Sequence, residues 1–234
     1  MTNLAYEDYL KTLNKISRAI TSDLYLEDIL KLIVTLTANV MKAKVCNVWL
    51  VDEKKQEFNI KATQSMHQEY LRKRNMKLNE GIVGLVAQEK KPMVVPDVLS
   101  DARYIEKKLA KKEGLVSMAS VPMMVSDQVI GVLNVYTTNH YKFTKADINL
   151  LSTVANQAAM AIEKTELIVK TKIIKEELDT RKKIERAKGI LMNEKNISES
   201  EAFSLIRKSS MDKRIPMKDI AEAIILSSEI REIK

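Results

Sequence analysis

From residue 147 to residue 193 the chain carries no proline and a single glycine, Gly189. Proline and glycine are the residues that most readily end a helix, so their near-absence commits this segment to helix. It is either one long helix or two with a frayed joint. Every other element has to be arranged around it.

Ahead of that helix the hydrophobic period changes. Residues 5–41 carry helical stripes: Leu10, Leu13, Ile16 and Ile20 on an early segment, then Leu26, Ile29, Leu30, Ile33, Val34 and Leu36 on a second. Ser22 or Asp23 is the expected N-cap of the second. KVCNVWLV (44–51) then reads as a buried strand. FNIKAT (58–63) sets Phe58, Ile60 and Ala62 against Asn59, Lys61 and Thr63, the pattern of a half-exposed strand. The polar DEKKQE joins the two into an antiparallel hairpin. GIVGLVAQEK (81–90) predicts a short helix, PMVVP (92–96) a short strand, and DARYIEKKLAKKEG (101–114) a polar, partly helical stretch. SMASVPMMV (117–125) and QVIGVLNVYTT (128–138) predict a second hairpin around Ser126-Asp127, and Thr144 an N-cap for the long helix. The order helix, strands, helix, strands, helix indicates an α+β fold with an antiparallel sheet.

Hydrophobic residues make up 45% of the chain and charged residues 30%, enough for a buried core. No apolar run approaches the ~18–20 residues of a membrane span. MTNLAYEDYLK lacks the basic-then-apolar order of a signal peptide. Cys46, the one cysteine, cannot form an internal disulfide. A cytoplasmic protein with no membrane partner is expected. The net charge of +8 permits an acidic partner without demanding one.

Local clustering says more. RKKIERAK (181–188) holds five basic residues against one acidic. Beyond it the chain is helical to its end. Ser198 and Glu201 form a capping-box pattern ahead of an inner face of Ala202, Phe203, Ile206 and Ser209. Pro216 suits the first turn of the next helix, whose stripe is Met217, Ile220, Ala221 and Ile224. Ile184, Ala187 and Leu191 face them, predicting a three-helix bundle. Gly189, in RAKGILM, costs about 1 kcal/mol relative to Ala. Close approach of a neighbouring helix is expected to offset this. Lys188 is expected at the margin of the packed face. It joins Arg181, Lys182 and Arg186 on one helix, and Lys213, Arg214 and Lys218 around the next turn, in a rim suited to phosphates. Leu167, Thr171, Ile174 and Leu178 have a and d spacing over two heptads, which fits a coiled coil or an ordinary connecting helix.

Residues 181–225 resemble an ANTAR domain, an RNA-binding three-helix module of bacterial antiterminators. The resemblance rests on IERAKGILM, SESEAFSLIRKSSM and the DIA of MKDIA, in that order. It implies a protein that binds paired short hairpins in nascent messenger RNA and so prevents a terminator from forming. Two hairpins ask for two bundles, hence a homodimer. The matched positions expected to contact RNA are Arg181, Lys188, Ser210, Lys213, Arg214 and Lys218. The module has no Trp or Tyr, and Phe203 is expected to be buried, so recognition is expected to use hydrogen bonds and arginine planes rather than an aromatic platform.

Residues 20–165 resemble a GAF domain through SDLYLEDILKLIV, GIVGLVAQEKKPMVVPDV, SVPMMVSDQVIGVLNVYTT and FTKADINLLSTVANQAAMAIEKTEL. That implies a six-stranded antiparallel sheet with helices on one face, which senses a small molecule or simply dimerises. The NKFDE-type signature of cyclic-nucleotide-binding members is absent, and DARY (101–104) stands where the family has DPRY. Cys46 lies inside the first strand, as a core cysteine would, and not as a bilin attachment point. A ligand would sit between the sheet and the segment from 92 to 118, lined by Trp49, Phe58, Tyr104 and Met118; the alternative is that these are core side chains. His67 and His140 are expected in loops without metal-site partners, and no cofactor is expected.

The expected organisation is a GAF sensor domain with its N-terminal helices over 1–163, a connecting and potentially coiled-coil helix over 164–180, and an ANTAR domain over 181–234. An enzyme is not expected. The GAF-fold class that reduces methionine sulfoxide needs several cysteines, and neither a Ser-His-Asp set nor a Walker A loop occurs. VWLVDE (48–53) is similar to the acidic end of a receiver's first strand, but the helices before it and the hairpin after it argue against that fold. The expected function is an RNA-binding antitermination regulator under GAF control. The rivals are a DNA-binding regulator and a purely dimerising signalling protein with a small-molecule-sensing GAF domain.

Overall fold

The computed structural model describes residues 3–22, 24–65 and 74–232; Asp23 and His67 lie outside them. The chain divides into two compact units, Met1–Thr165 and Glu166–Lys234.

The first unit begins with helices α1 (Asn3–Ile20) and α2 (Leu26–Val40). Ser22 does not cap α2: its hydroxyl donates to the carbonyl of Ala19 at 2.7 Å and closes α1, leaving Tyr25 at the N-cap without a side-chain bond. Strands β1 (Val45–Asp52) and β2 (Glu57–Thr63) form the first hairpin. After them come β3 (Asn75–Lys77), α3 (Gly81–Glu89), β4 (Met93–Val95) and α4 (Lys107–Glu113). Strands β5 (Met118–Val125) and β6 (Gln128–Tyr136) make the second hairpin, with Ser126 at φ 52 in its two-residue turn. One antiparallel sheet results, in the order β3-β2-β1-β6-β5-β4. The β1–β6 pairing joins the hairpins at its centre. Gly131 permits that join, since a Cβ there would lie 2.3 Å from the carbonyl oxygen of Trp49.

Both faces of the sheet are covered, where the family resemblance implied helices on one. On one face Cys46, Val48, Val121, Leu133 and Val135 pack against α1, α2 and the start of the long helix. On the other, Val45, Trp49, Phe58, Met118, Val132 and Tyr136 pack against α3, α4 and the loops between them. The physical reason is in β1 and β6, which are apolar on both faces and must be shielded twice. Strand β2 also departs from simple alternation. Val48 pairs with Ala62 and Trp49 with Ile60, so Lys61 is an extra residue, a β-bulge. The bulge sends Ala62 to the opposite core from Phe58 and Ile60. A buried polar row, Ser120–Asn134–Asn47, crosses the central strands with hydrogen bonds of 2.7 and 3.1 Å.

Helix α5 runs unbroken from Lys145 to Lys195. Thr144 and Asp147 cap its start reciprocally: Oγ1 of Thr144 accepts from the Asp147 amide at 3.2 Å, and Oδ2 of Asp147 accepts from the Thr144 amide at 2.7 Å. Asp147 also accepts from Tyr9 of α1 at 2.6 Å and from Tyr141 at 3.2 Å. Further along, Lys164 donates to the carbonyl of Ile20 at 2.9 Å. Helix α1 is thus tied to α5 at Tyr9 and at its own C-terminal end. Asn196, at φ 51, ends α5 in the left-handed conformation an Asn tolerates there.

The second unit holds the rest of α5 with α6 (Glu199–Lys213) and α7 (Met217–Glu232). The Ser198–Glu201 capping box is formed at the start of α6. Pro216 lies one residue ahead of α7, and its carbonyl receives the amides of Asp219 and Ile220.

Candidate nucleic-acid interface

The bundle core is Ala187 and Leu191 of α5, Ala202 and Ile206 of α6, and Ala221 and Ile225 of α7. Each helix contributes one fully buried alanine, and these three are the small residues that allow close packing. Gly189 is not among them. A Cβ built on it would meet nothing within 4 Å. It lies on the opposite side of α5 from Ala187 and Leu191, so the expected packing glycine is an open one.

Lys188 is likewise placed otherwise than expected. It is 7% exposed, with Nζ 2.8 Å from Glu185 and 2.6 Å from Glu199. Hydrogen bonds that its amine donates to those two carboxylates hold it above the usual lysine range, and the same contact holds Glu199 low. The charge is neutralised inside the bundle, and Lys188 pins α6 to α5.

Other cations cross between helices in the same way. Lys183 pairs with Asp179 at 2.6 Å and with Glu222 of α7 at 2.7 Å. Arg186 meets Glu229 at 2.8 Å, Arg231 meets Glu194 at 3.3 Å, and Lys218 lies 3.6 Å from Asp179. The cations left without an ion-pair partner among the described residues include Arg181 on α5, Arg207, Lys208 and Lys213 on α6, and Arg214 at its end. All five are exposed.

The α6–α7 turn holds three residues of the expected set. Arg214 caps α6 at φ 54, in the left-handed region that favours glycine, with its amide on the carbonyls of Met211 and Ser210. A cationic side chain stands where glycine would cost less strain. Ser210 donates to the carbonyl of Ile215 at 2.6 Å, so its hydroxyl proton is used in shaping the turn. Lys213 stands exposed beside them. Arg207 and Lys208 were not singled out in the sequence. The available signal was spacing: Phe203, Arg207 and Ser210 stand at i, i+4 and i+7, one face of α6. Phe203, expected inside, is 40% exposed, because Ala202 and Ile206 fill the core side of the helix.

In the first unit the four residues expected to line a ligand site come together, but as packed core. Trp49, Phe58, Tyr104 and Met118 belong to one cluster of buried side chains. The indole Nε1 of Trp49 has no hydrogen-bond partner among the described residues. The Arg74 guanidinium lies 5.4 Å from the Trp49 ring centroid and 2.6 Å from Glu106. Burial pushes the Glu106 carboxyl up, against the pull of Arg74. Cys46 is fully buried in the other core, where desolvation pushes its thiol up and keeps it unreactive. His140 is exposed, with Nδ1 3.4 Å from the Pro96 carbonyl. No cluster of His, Cys, Asp and Glu able to hold a metal occurs among the described residues, and no described helix is long and apolar enough to cross a membrane.

Comparison with known proteins places both units. Residues 25–162 match the GAF domain family and residues 173–225 the ANTAR domain family. Over 52 residues, 22% of this chain and 25% of the relative, the sequence is 42% identical to the transcriptional regulatory protein PdtaR of Mycobacterium tuberculosis. Over 158 residues, 68% of this chain and 21% of the relative, it is 25% identical to a protein of the phosphoenolpyruvate-dependent phosphotransferase system of Escherichia coli. The chain therefore spans a quarter or less of the length of these relatives. Among solved structures, the GAF domain of an Acinetobacter phosphoenolpyruvate-protein phosphotransferase superposes with a TM-score of 0.60 at 27% identity, covering 72% of this chain and 98% of that one. A Coxiella burnetii GAF domain from the same kind of enzyme gives 0.64 at 22% identity, covering 69% and 96%. The free methionine-R-sulfoxide reductase of Neisseria meningitidis gives 0.61 at 18%, covering 72% and 95%, a likeness of fold alone.

Proposed function

This chain belongs to the GAF family and carries an ANTAR domain behind it, and we propose that it is a transcription antitermination regulator that binds paired hairpins in nascent RNA. The likeness over 52 residues to a transcriptional regulatory protein supports regulation of transcription. The observation that carries the RNA-binding step is the division of the bundle's cations. Lys183, Arg186, Lys188 and Arg231 are neutralised by carboxylates within the bundle. Arg181, Lys213 and Arg214, with Arg207 and Lys208, are left facing solvent and able to release counterions from a phosphate chain. Looped-out bases offer the readable edges that an A-form stem hides.

In this reading residues 1–163 form the sensor, 164–180 the connector and 181–234 the RNA-binding part. Leu167, Ile174 and Leu178, each more than half exposed, are the seam of a parallel homodimer that brings two bundles to two hairpins. Signal enters the GAF domain on the Trp49 side of the sheet, between it and the segment from 92 to 118. It acts by favouring one arrangement of α5 over another.

The test compares the full chain's affinity for tandem stem-loop RNA with that for duplex DNA of the same sequence and for heparin. Stem-loop RNA is expected to bind tightest. Arg181→Ala, and Lys213→Ala combined with Arg214→Ala, are expected to lower RNA affinity at unchanged melting temperature. Lys188→Ala is expected to lower the melting temperature as well. Preference for duplex DNA would establish a DNA-binding regulator instead. Equal, salt-sensitive binding to all three would leave no basis for hairpin recognition.

A further inference from the structure

Beside Phe203 an open groove of about 590 Å³ runs between α5 and α6. Its apolar wall is Ile173 and Ile184 of α5 with the ring of Phe203. Its polar groups are mixed in sign. Arg181 and Lys218 supply donors, while Glu176, Glu177 and Glu185 supply acceptors. This balance is wrong for a phosphate, which needs a surplus of positive charge. It suits a neutral planar group that carries both donors and acceptors on its edge.

We propose that this groove seats one unpaired base of the bound RNA, stacked on the Phe203 ring, with Arg181 and Lys218 reaching the base edge. The proposal rests on the hairpin-binding reading above and adds a base-contacting residue to it. Helix geometry supports the assignment. Arg207 lies one turn along α6 from Phe203 on the same face, and Arg214 follows at the end of the helix. A strand whose base enters the groove therefore has its phosphates beside two arginines without ion-pair partners among the described residues. The volume is in the range of sites that bury a small ligand. Ile173 and Ile184 lie about a third of a turn around α5 from Leu167, Ile174 and Leu178, while Arg181 and Glu185 of the groove continue the line of that seam past Leu178.

The experiment measures the full-length chain against two probes: a pool of stem-loops with randomised loops, and fully paired RNA of equal length. Phe203→Leu keeps an apolar contact but removes the stacking face; Phe203→Tyr keeps both. Phe203→Leu is expected to weaken stem-loop binding roughly tenfold, within the range of one lost base stack, while binding to paired RNA stays unchanged. Phe203→Tyr is expected to bind as the parent does. Melting temperature and sedimentation mass are expected to hold in both. Equal weakening toward both probes, or loss in Phe203→Tyr as large as in Phe203→Leu, overturns the base seat while leaving hairpin binding standing. A halved mass in Phe203→Leu overturns it in favour of a groove filled by a second copy. Failure of the parent chain to retain any stem-loop removes the hairpin reading and the base seat together.

Discussion

Gly189 stands on the solvent side of its helix, where a methyl group has free space around it. The backbone entropy of that glycine is then a cost that no contact within the bundle offsets. Gly189→Ala is expected to raise the stability of the second unit by about 1 kcal/mol, read from urea unfolding followed by helical circular dichroism. A loss of stability would mean that the backbone at Gly189 packs against something after all. The sequence placed the glycine inside a helix correctly but could not tell which side it faced. Ala187 and Gly189 are two residues apart and nearly opposite on the helix, and only the position of α6 and α7 decides which is enclosed. The same ambiguity governs Lys188 and Phe203. Each sits one residue from a core alanine, and the packing turned the lysine in and the phenylalanine partly out.

At the start of α5 a single carboxylate gathers the capping bonds and the tie to α1. Asp147 is 1% exposed. Desolvation pushes its pKa up, but the hydrogen bonds from Tyr9, Thr144 and Tyr141 outweigh this and hold it below the usual carboxylate value. A depressed pKa contributes stability above the ordinary value near 4, and that contribution disappears as pH falls through the folded-state pKa. The first unit should therefore lose stability below about pH 4 in part through this residue. Asp147→Asn is expected to melt lower than the parent at pH 7 and to show a shallower decline between pH 5 and 3, on the order of one protonation event. Parallel declines in the two proteins would assign the acid loss to other carboxylates. Thr144 was legible as a cap because caps are local. The bond from Tyr9 spans the whole first unit and had no local sign.

On the scale of the molecule, α5 belongs to both units, and its exposed apolar residues fall outside either core. Leu167 and Ile174 are left more than half exposed by the described residues, and Thr171 between them sits on the same stripe. Replacing both apolar residues with Lys is expected to give a monomer by sedimentation. Affinity for a single hairpin should persist, while affinity for tandem hairpins should fall by roughly a hundredfold as the linked second binding event is lost. A dimer that survives the double substitution would place the association surface elsewhere.

The chain by itself determined both hairpins, the helical run from 147 to 193 and the three-helix end, because hydrophobic period, caps and breakers act over a few residues; the three-residue β3 is too short to show a period, and whether the helical run was one helix or two stayed open. The chain also determined which residues are basic around the bundle. Asp179 and Glu185 are local partners of Lys183 and Lys188, but only the tertiary structure brought up the carboxylates of other helices that complete the neutralisation of Lys183, Arg186, Lys188 and Arg231. It likewise decided that the Trp49 cluster is packed core, that both sheet faces are covered, and that Phe203 is left open beside Arg181. Pairings and exposures of that kind depend on where a second element comes to rest, and no local pattern encodes that position.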